Sequence, residues 1–565
     1  MSKRMNDKPA SLPPVEPRCA WPPLHRVERR QEGDELALLT ALRPELGWPR
    51  QWAWLPVRET PAGYEPLQPE RPLREQVRLR DFELSGQAHP GDALRCRLPL
   101  DEVPADPGTG LLCLLLYADL RGQWVEAARR SPSADVELEA ALQAALAMGP
   151  LELRHAFVPR PEPDETAPRE DGLSFILAAC QYPPSLLDAR QGAERDPRRA
   201  GPADASLARM VDFTRNVPEG RACSLLLIAG DEIYADASGG LADAHNSVER
   251  YTRAYQHFKA GLIRHLPPTL QRIVHAPDDH EIEDNWGPVL RSDGREDGGP
   301  WIEPGRAAAW AARWEPGERE GLHAHFWHRF DWRGVRFFIA DARLERQARP
   351  QSRLMTARIM GDAQWRALQD WLAQEDTRPR VVLSGSLLLP RRRSVAEYPG
   401  AAAASDAWDG FPASQHDLLR ALWVHGAQDV VFLSGDEHRS GYATAWVGVD
   451  DGRGGLRDDQ PKIRLLSLHS SALHAPWPFS VTEHEAFQVP DSFALMPEGG
   501  AANGVAAGDP ALRCVVTDWA DHPGDGFAVL TMRKGQLAVR FDRAAASSPV
   551  VVWIGVGVRS APPAG

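Results

Sequence analysis

Six short apolar runs, each of strand length, alternate with longer segments of helical periodicity in this chain. The runs are Phe175–Cys180, Ser224–Asp231, Arg272–Asp279, Val335–Asp341, Val381–Ser386 and Val430–Asp436. The helical segments, with apolar residues at three- and four-residue steps, include Ser247–His265, Asp362–Leu372 and Gln415–Trp423. Apolar strands that alternate with helices are typical of a mostly parallel sheet covered on both faces. The pattern therefore predicts an α/β domain or a layered αββα domain.

The rest of the chain divides by composition. The length of 565 residues favours two or three domains. Residues 1–30 are rich in proline and arginine without periodicity, which predicts a flexible arm. Residues 31–165 hold short alternating runs between turn-rich segments, which predict a mainly antiparallel β-domain with a linker and a helix near 135–148. Residues 166–545 then form the α/β domain, and residues 546–565 a C-terminal tail.

Charge and cysteine content restrict the partners and the compartment. A formal net charge of −13 leaves no broad basic field for extended nucleic acid. A small phosphate ester remains a suitable substrate, because a metal centre supplies positive charge locally. The six cysteines lack a CxxC pair and regular disulfide spacing, which favours reduced thiols. We find neither a signal peptide nor a transmembrane segment and expect a cytoplasmic protein, with the oligomeric state left open.

Residues that bind metals or transfer protons stand at the ends of four of the apolar runs. In open α/β sheets the carboxyl ends of strands face one crevice, so these ends are expected to converge. Singly, each has a plainer interpretation, such as a buried thiol, a capping carboxylate or a solvated acidic loop. Together they predict an ion site. The residues are Cys180, Asp231 with Tyr234, the run Asp278-Asp279-His280-Glu281, and Asp436 with His438.

Two features of this set favour cations. A carboxylate and a phenolate, as in Asp231 and Tyr234, suit a hard, highly charged metal such as ferric iron. The acidic run at residues 278–284 would repel itself at a dry strand end unless cations neutralised it.

These elements resemble the alkaline phosphatase D (PhoD-like) metallophosphoesterase family, which shares its Gly-Asp-x-x-Tyr element with purple acid phosphatases. The resemblance covers residues 170–475, and its elements occur in order. They are Cys180-Gln181, Gly230–Asp236, Asp278–Glu281 with Asn285-Trp286, Asp341-Ala342-Arg343, Gly361 with Gln364-Trp365, Trp408–Pro412 and Gly435–His438. The chain departs from the family at Ser384-Gly385-Ser386, where members often carry Gly-Asn-Gln or a similar polar triplet.

The resemblance implies a calcineurin-like four-layer αββα sandwich that hydrolyses phosphate monoesters or diesters with a metal-activated hydroxide at a multinuclear site. It implies Fe³⁺ with Ca²⁺, and Mn²⁺ or Zn²⁺ as alternatives. His280 would protonate the leaving group or stabilise the transition state. The metal ligands that it implies are Cys180, Asp231, Tyr234, Asp279, Asp436 and His438. Four further residues are expected beside the metals or the substrate: Asp278, Glu281, Asn285 and Arg439.

The sequence admits two alternative classes of function. A serine hydrolase or a P-loop nucleotide hydrolase is disfavoured, because neither a G-x-S-x-G element nor a P-loop pattern occurs in the sequence. A catalytically degenerate family member that serves as a binding or interaction module is the second. Ser384-Gly385-Ser386 hints at it, whereas retention of the carboxylates, Tyr234 and His438 argues against it.

Overall fold

A computed structural model of the chain divides it into two compact units, residues 1–161 and 162–565, which are described separately below. The predicted tail (546–565) and the predicted helix near 135–148 lie outside the described residues, as does the predicted arm apart from residues 28–30. The structure describes residues 28–32, 35–41, 49–60, 63–81, 93–106, 108–117, 156–159, 167–168, 172–183, 202–237, 245–247, 250–251, 254–255, 258, 266, 270, 272–312, 325–476, 483–497, 510–533 and 535–542.

The described part of the first unit consists mainly of antiparallel strands. They form two sheets, ordered β1-β2-β6 and β4-β3-β7-β8, with β5 also paired to β3. Apolar residues of β3 and β7, including Trp54 and Leu112, are buried. The elements are β1 (Glu28–Glu32), β2 (Glu35–Ala41), β3 (Pro49–Thr60), β4 (Gly63–Pro66), α1 (Leu73–Gln76), β5 (Arg78–Asp81), β6 (Ala93–Pro99), β7 (Thr109–Tyr117) and β8 (Ala156–Pro159).

The second unit contains a mixture of helices and strands. Its strands are β9 (Leu173–Gln181), β10 (Cys223–Ala229), β11 (Arg272–Ala276), β12 (Val289–Leu290), β13 (Glu296–Asp297), β14 (His328–Trp332), β15 (Val335–Ile339), β16 (Arg380–Leu383), β17 (Val430–Ser434), β18 (Arg439–Val449), β19 (Lys462–His469), β20 (Ala472–His474), β21 (Asp491–Ala494), β22 (Leu512–Pro523), β23 (Ala528–Arg533) and β24 (Gln536–Phe541). Its α-helices are α2 (Ala205–Asn216), α3 (Pro218–Arg221), α4 (Ile302–Ala312), α5 (Asp362–Ala373), α6 (Arg393–Glu397) and α7 (Pro412–Val424).

The six predicted strands are present, but they belong to two mixed sheets. The first sheet has the order β11-β10-β9-β23-β24, with β20 also paired to β9. The second has the order β14-β15-β16-β17-β19-β18-β22-β21. Each contains parallel strands from the predicted set, and antiparallel strands extend both. The prediction of a mostly parallel sheet was therefore wrong for the flanking strands. These strands pair antiparallel with their neighbours, some as hairpins and others after a long connection.

The two sheets pack face to face. Alternate side chains of β9 and β15 meet between them, and the rings of Phe175 and Phe337 contact each other edge to face with centroids 5.9 Å apart. The opposite face of the first sheet packs on α2 through residues such as Met210. The opposite face of the second packs on α5 and α7, with Trp371 and Leu418 buried. Burial of each large apolar side chain contributes about 1.5–3 kcal/mol to the stability of the fold. Packing on both faces of each sheet therefore holds the ends of the strands in place.

The helices follow the predicted periodicity. Helix α5 begins at Asp362 and α7 includes the predicted Gln415–Trp423, so both predictions are confirmed. Of the predicted segment Ser247–His265, the residues described as helical are Ser247, Arg250, Tyr251, Ala254, Tyr255 and Phe258. Among the helices that the structure describes, none has the length and apolar character needed to cross a membrane.

Candidate metal centre

Four of the predicted ligands adopt left-handed backbone conformations where strands end. The φ angles are 54° at Cys180, 55° at Asp231, 69° at Asp436 and 50° at His438. Such a conformation costs a non-glycine residue about 1–3 kcal/mol and persists only where the surroundings enforce it. The sharp turns after β9, β10 and β17 direct these side chains toward one point, which is a feature typical of functional sites.

Two glycines allow these loops to approach each other. A Cβ atom on Gly230, whose φ is +87°, would lie 2.3 Å from the Cβ of Asp278. A Cβ on Gly435 would lie 2.4 Å from the Cβ of Ala179 and 2.6 Å from the carbonyl oxygen of Ala229. Glycine is therefore required at both positions. Because Gly435 follows a strand of the second sheet, its contacts join the strand ends of both sheets.

The side chains converge in three overlapping groups, and within each group the ligand atoms lie within 4.8 Å of one another. Asp231 belongs to all three groups, as a carboxylate that bridges two cations would. The groups are Cys180, Asp231 and His438; Asp231, Asp279 and His280; and Asp231, Asp278, Asp279 and Asp436. The hydroxyl of Tyr234 lies 3.2 Å from Nε2 of His438, beside the first group. The structure thus brings all six predicted ligands together.

Three carboxylate oxygens in this cluster fit a cation site. Oδ2 of Asp231, Oδ2 of Asp278 and Oδ1 of Asp279 are buried and have no hydrogen-bond partner among the described residues. A buried, unpaired carboxylate oxygen is costly, and such groups are usually paired or coordinate metals. Oxygen-rich donors with a thiol, an imidazole and a phenol nearby are suited to hard or borderline cations.

Mutual repulsion among these acids perturbs their protonation. Burial and the neighbouring carboxylates raise the pKa of Asp231 and that of Asp436 well above the usual range. Burial also raises the pKa of Asp278 to about 7, against the opposing effect of Arg343. Burial also tends to raise the pKa of Asp279, but the positive charges of Arg343 and His280 outweigh this effect and bring that pKa below its usual value. Cations would relieve the same repulsion by displacing protons.

His280 is held by a carboxylate that we did not assign from the sequence. Its Nδ1 lies 2.8 Å from Oδ1 of Asp236, and its ring stacks on Tyr234 with centroids 4.0 Å apart. Burial lowers the pKa of His280, but Asp279 and Asp236 outweigh that effect and raise it to about 9. Asp236 follows Tyr234 by two residues in the motif, and this proximity was the available signal.

Arg343 is a second residue whose role was not foreseen. Its side chain is fully buried, and its guanidinium lies 2.5 Å from Oδ1 of Asp278, 2.9 Å from Oδ2 of Asp406 and 3.7 Å from Oδ1 of Asp279. It therefore supplies the positive charge on one side of the acidic cluster. The Asp341-Ala342-Arg343 element pointed to this residue, whereas no pattern in the sequence indicated Asp406.

The remaining predicted residues occupy different positions. Glu281 is buried, and its carboxylate accepts hydrogen bonds from the backbone N–H groups of Glu232 (2.8 Å) and Asp278 (2.9 Å). It therefore joins the loop after β10 to the loop after β11. Asn285 reaches the cluster through its backbone N–H, 2.5 Å from Oδ2 of Asp279, while its side-chain amide donates to Asp284. Arg439 forms an ion pair with Asp521.

The Ser384-Gly385-Ser386 departure has a steric counterpart. A Cβ on Gly385 would lie 2.5 Å from Cγ and 2.7 Å from Oδ2 of Asp278. No side chain fits there unless the carboxylate moves. Asp278 thus occupies the space that a larger residue at position 385 would need, and its carboxylate belongs to the four-acid group.

The chain is distantly similar to solved structures. A solved structure titled "Structure of PhoD" is 12% identical, with a TM-score of 0.46, over 92% of this chain and 86% of that one. A structure of GAP50, described as the anchor in the inner membrane complex of Plasmodium, is 9% identical, with a TM-score of 0.29, over 68% of this chain and 90% of that one. No curated protein matches the chain.

The model of the PhoD-like phosphatase family matches residues 211–476. This range includes every predicted metal ligand except Cys180, which precedes it. The family description implies phosphoester hydrolysis. The resemblance to the PhoD-like phosphatase family that the motifs indicated is therefore confirmed over residues 211–476.

Proposed function

We propose that this protein hydrolyses small phosphate monoesters or diesters at a multinuclear metal centre within a calcineurin-like αββα sandwich. One observation carries the proposal most directly. Four carboxylates, from Asp231, Asp278, Asp279 and Asp436, converge within 4.8 Å, and three of them have buried oxygens without a hydrogen-bond partner among the described residues. The net charge of −13 favours small esters over extended nucleic acid.

The donor set supports two kinds of cation. Cys180, Tyr234 and His438 would hold an iron-like ion, and Asp279 with Asp436 a second, calcium-like ion, with Asp231 shared by both. Mn²⁺ and Zn²⁺ are the alternatives. When bound, the cations would neutralise the ester, activate water and hold the reacting oxygens in line.

The chain's own residues would position the reaction and transfer the proton. With Nδ1 of His280 held by Asp236, we propose that Nε2 of His280 delivers a proton to the departing alkoxide. Stacking on Tyr234 fixes the plane of the imidazole. Glu281 keeps the two acidic loops in register through its two backbone contacts.

Hydrolysis of p-nitrophenyl monoesters and diesters tests the proposal. Purified protein would be assayed before and after chelation and after addition of iron, calcium, manganese or zinc, with metal content measured in parallel. We expect chelation to abolish hydrolysis and one metal or pair of metals to restore it. Asp231→Asn should lose both bound metal and activity, whereas Asp459→Asn, at an exposed ion pair with Arg457, should keep both.

Two results would refute the proposal. One is full activity in protein free of metal. The other is stoichiometric bound metal without hydrolysis of any ester in the panel, which would instead favour a binding module.

A further inference from the structure

Three consecutive arginines follow β16, and their guanidinium groups contact different partners. Arg391 pairs with Asp491, with Nε 2.8 Å from Oδ2. Arg393 donates to the backbone carbonyls of Glu485 and Phe487. Arg392 donates from Nη2 to Oε1 of Glu437 at 2.9 Å. Since Glu437 lies between Asp436 and His438 in the sequence, only the middle arginine of the triplet is attached to the metal-ligand loop.

Arg392 is also partly accessible, unlike Arg343 and Arg346. Its side chain is 24% exposed, while that of Arg343 is 0% exposed, and Arg346 is buried with donors directed at Ala342 and Asp406. Asp436 is likewise the one member of the four-acid group that is not fully buried. Arg392 and Asp436 are thus both partly exposed, and Arg392 contacts Glu437, the residue that follows Asp436.

The backbone of Arg392 is fixed from two directions. Its N–H donates to Oδ2 of Asp409 at 2.6 Å, and the residue forms an antiparallel β-bridge with Phe487. Asp409 belongs to the Trp408–Pro412 element, which has no role in the proposed hydrolytic mechanism. A guanidinium positioned before the ligand arrives loses less conformational entropy on binding.

The geometry points to Arg392 as a substrate-binding residue, and this inference rests on the proposed function. Within the described residues, Glu437 is the only group that its guanidinium contacts by a hydrogen bond or an ion pair. A guanidinium carries five N–H donors in a planar fork, so several are left for a second anion. We infer that Arg392 binds a nonbridging oxygen of the phosphoryl group as it lies at the metal cluster.

The triplet provides matched controls. Arg392→Ala, Arg392→Lys and Arg393→Ala would be compared in metal-loaded protein for turnover of a p-nitrophenyl phosphate ester, inhibition by inorganic phosphate and metal content. Loss of a charged hydrogen bond should raise both KM and the phosphate inhibition constant about 10- to 100-fold in Arg392→Ala. Bound metal should be unchanged, Arg392→Lys should be intermediate, and Arg393→Ala should match the wild type.

Phosphate binding to the metal-loaded protein, measured by calorimetry, separates the two proposals. If the wild type binds phosphate but hydrolyses no ester, the proposed function fails, and weaker binding by Arg392→Ala still supports the inference. If the wild type is active and the phosphate constants of Arg392→Ala and Arg393→Ala agree within about twofold, well below the expected loss, the inference is overturned and the proposed function stands.

Discussion

Replacement of Arg343 by methionine should destabilise the second unit more than replacement of any exposed arginine. Arg343 is fully buried between Asp278 and Asp406, so methionine fills much of its volume but leaves both carboxylates without their cation. Removal of one partner from a buried ion pair typically costs about 3–5 kcal/mol. We expect a loss of that size in the free energy of unfolding.

Arg378 is the matched control. It also contacts two carboxylates, with Nη1 2.7 Å from Oδ2 of Asp331 and Nη2 2.6 Å from Oδ2 of Asp376, but its side chain is 34% exposed. Exposed pairs contribute about 0–1 kcal/mol, so Arg378→Met should change little. The double variant Arg343→Met/Asp406→Asn should recover part of the loss, because one uncompensated charge is removed.

Urea denaturation followed by tryptophan fluorescence would measure these differences in metal-free protein, where no bound cation can replace Arg343 beside Asp278. If Arg343→Met and Arg378→Met lose stabilities that agree within about 1 kcal/mol, the reasoning is refuted. Burial would then make no difference to how much an arginine ion pair contributes to the free energy of unfolding. A double variant less stable than Arg343→Met would show that Asp406 stabilises the unit by another route.

Three further predictions concern the site and its surroundings. Tyr234→Phe should remove the visible charge-transfer absorption of iron-loaded protein, while Tyr182→Phe, whose ring packs on Tyr234 with centroids 5.1 Å apart, should retain it; equal spectra would exclude phenolate ligation. Gly230→Ala should lower both the melting temperature and bound metal, whereas Gly452→Ala, with a positive φ but open space around it, should lose only about 1–2 kcal/mol of stability and no metal. Burial lowers the pKa of His416 to about 3, so the stability that its neutral form contributes is complete above pH 6.5 and is lost as the pH falls. Between a pH well above 6.5 and pH 5.5, the free energy of unfolding of the wild type should fall by about 1.4 kcal/mol more than that of His416→Gln. Parallel pH profiles of the two proteins would contradict the assignment.

The sequence was informative where a local pattern determines local structure. Apolar runs bounded by glycine and acidic residues located β9, β10, β11 and β17. The residues singled out as ligands lie at the ends of these strands or shortly after them, and four of them have left-handed conformations: Cys180, Asp231, Asp436 and His438. The division of those strands between two sheets was not predictable. Hydrophobic periodicity reports that both faces of a strand are buried, but it carries no information about which strand lies beside it.

Long-range polar contacts were missed for a related reason. Asp236 and His280 are 44 residues apart, and Arg343 and Asp406 are 63 apart, so no spacing rule connects either pair. The motif elements named three of these four residues, yet a residue's presence in a motif does not reveal whether its side chain faces the ions or supports another side chain. Burial decided that question for Arg343.

The proposed ligand loops originate from both sheets, which would link the inner core to metal selectivity. Cys180 lies near the end of one strand of the first sheet and Asp231 follows another, whereas Asp436 and His438 follow a strand of the second sheet. The gap between the sheets would therefore set the distances between a bound ion and these side chains. That gap is filled by side chains remote from the ions, including the Phe175 and Phe337 pair. A change in ring volume there would retune which cation is preferred without altering a single donor atom.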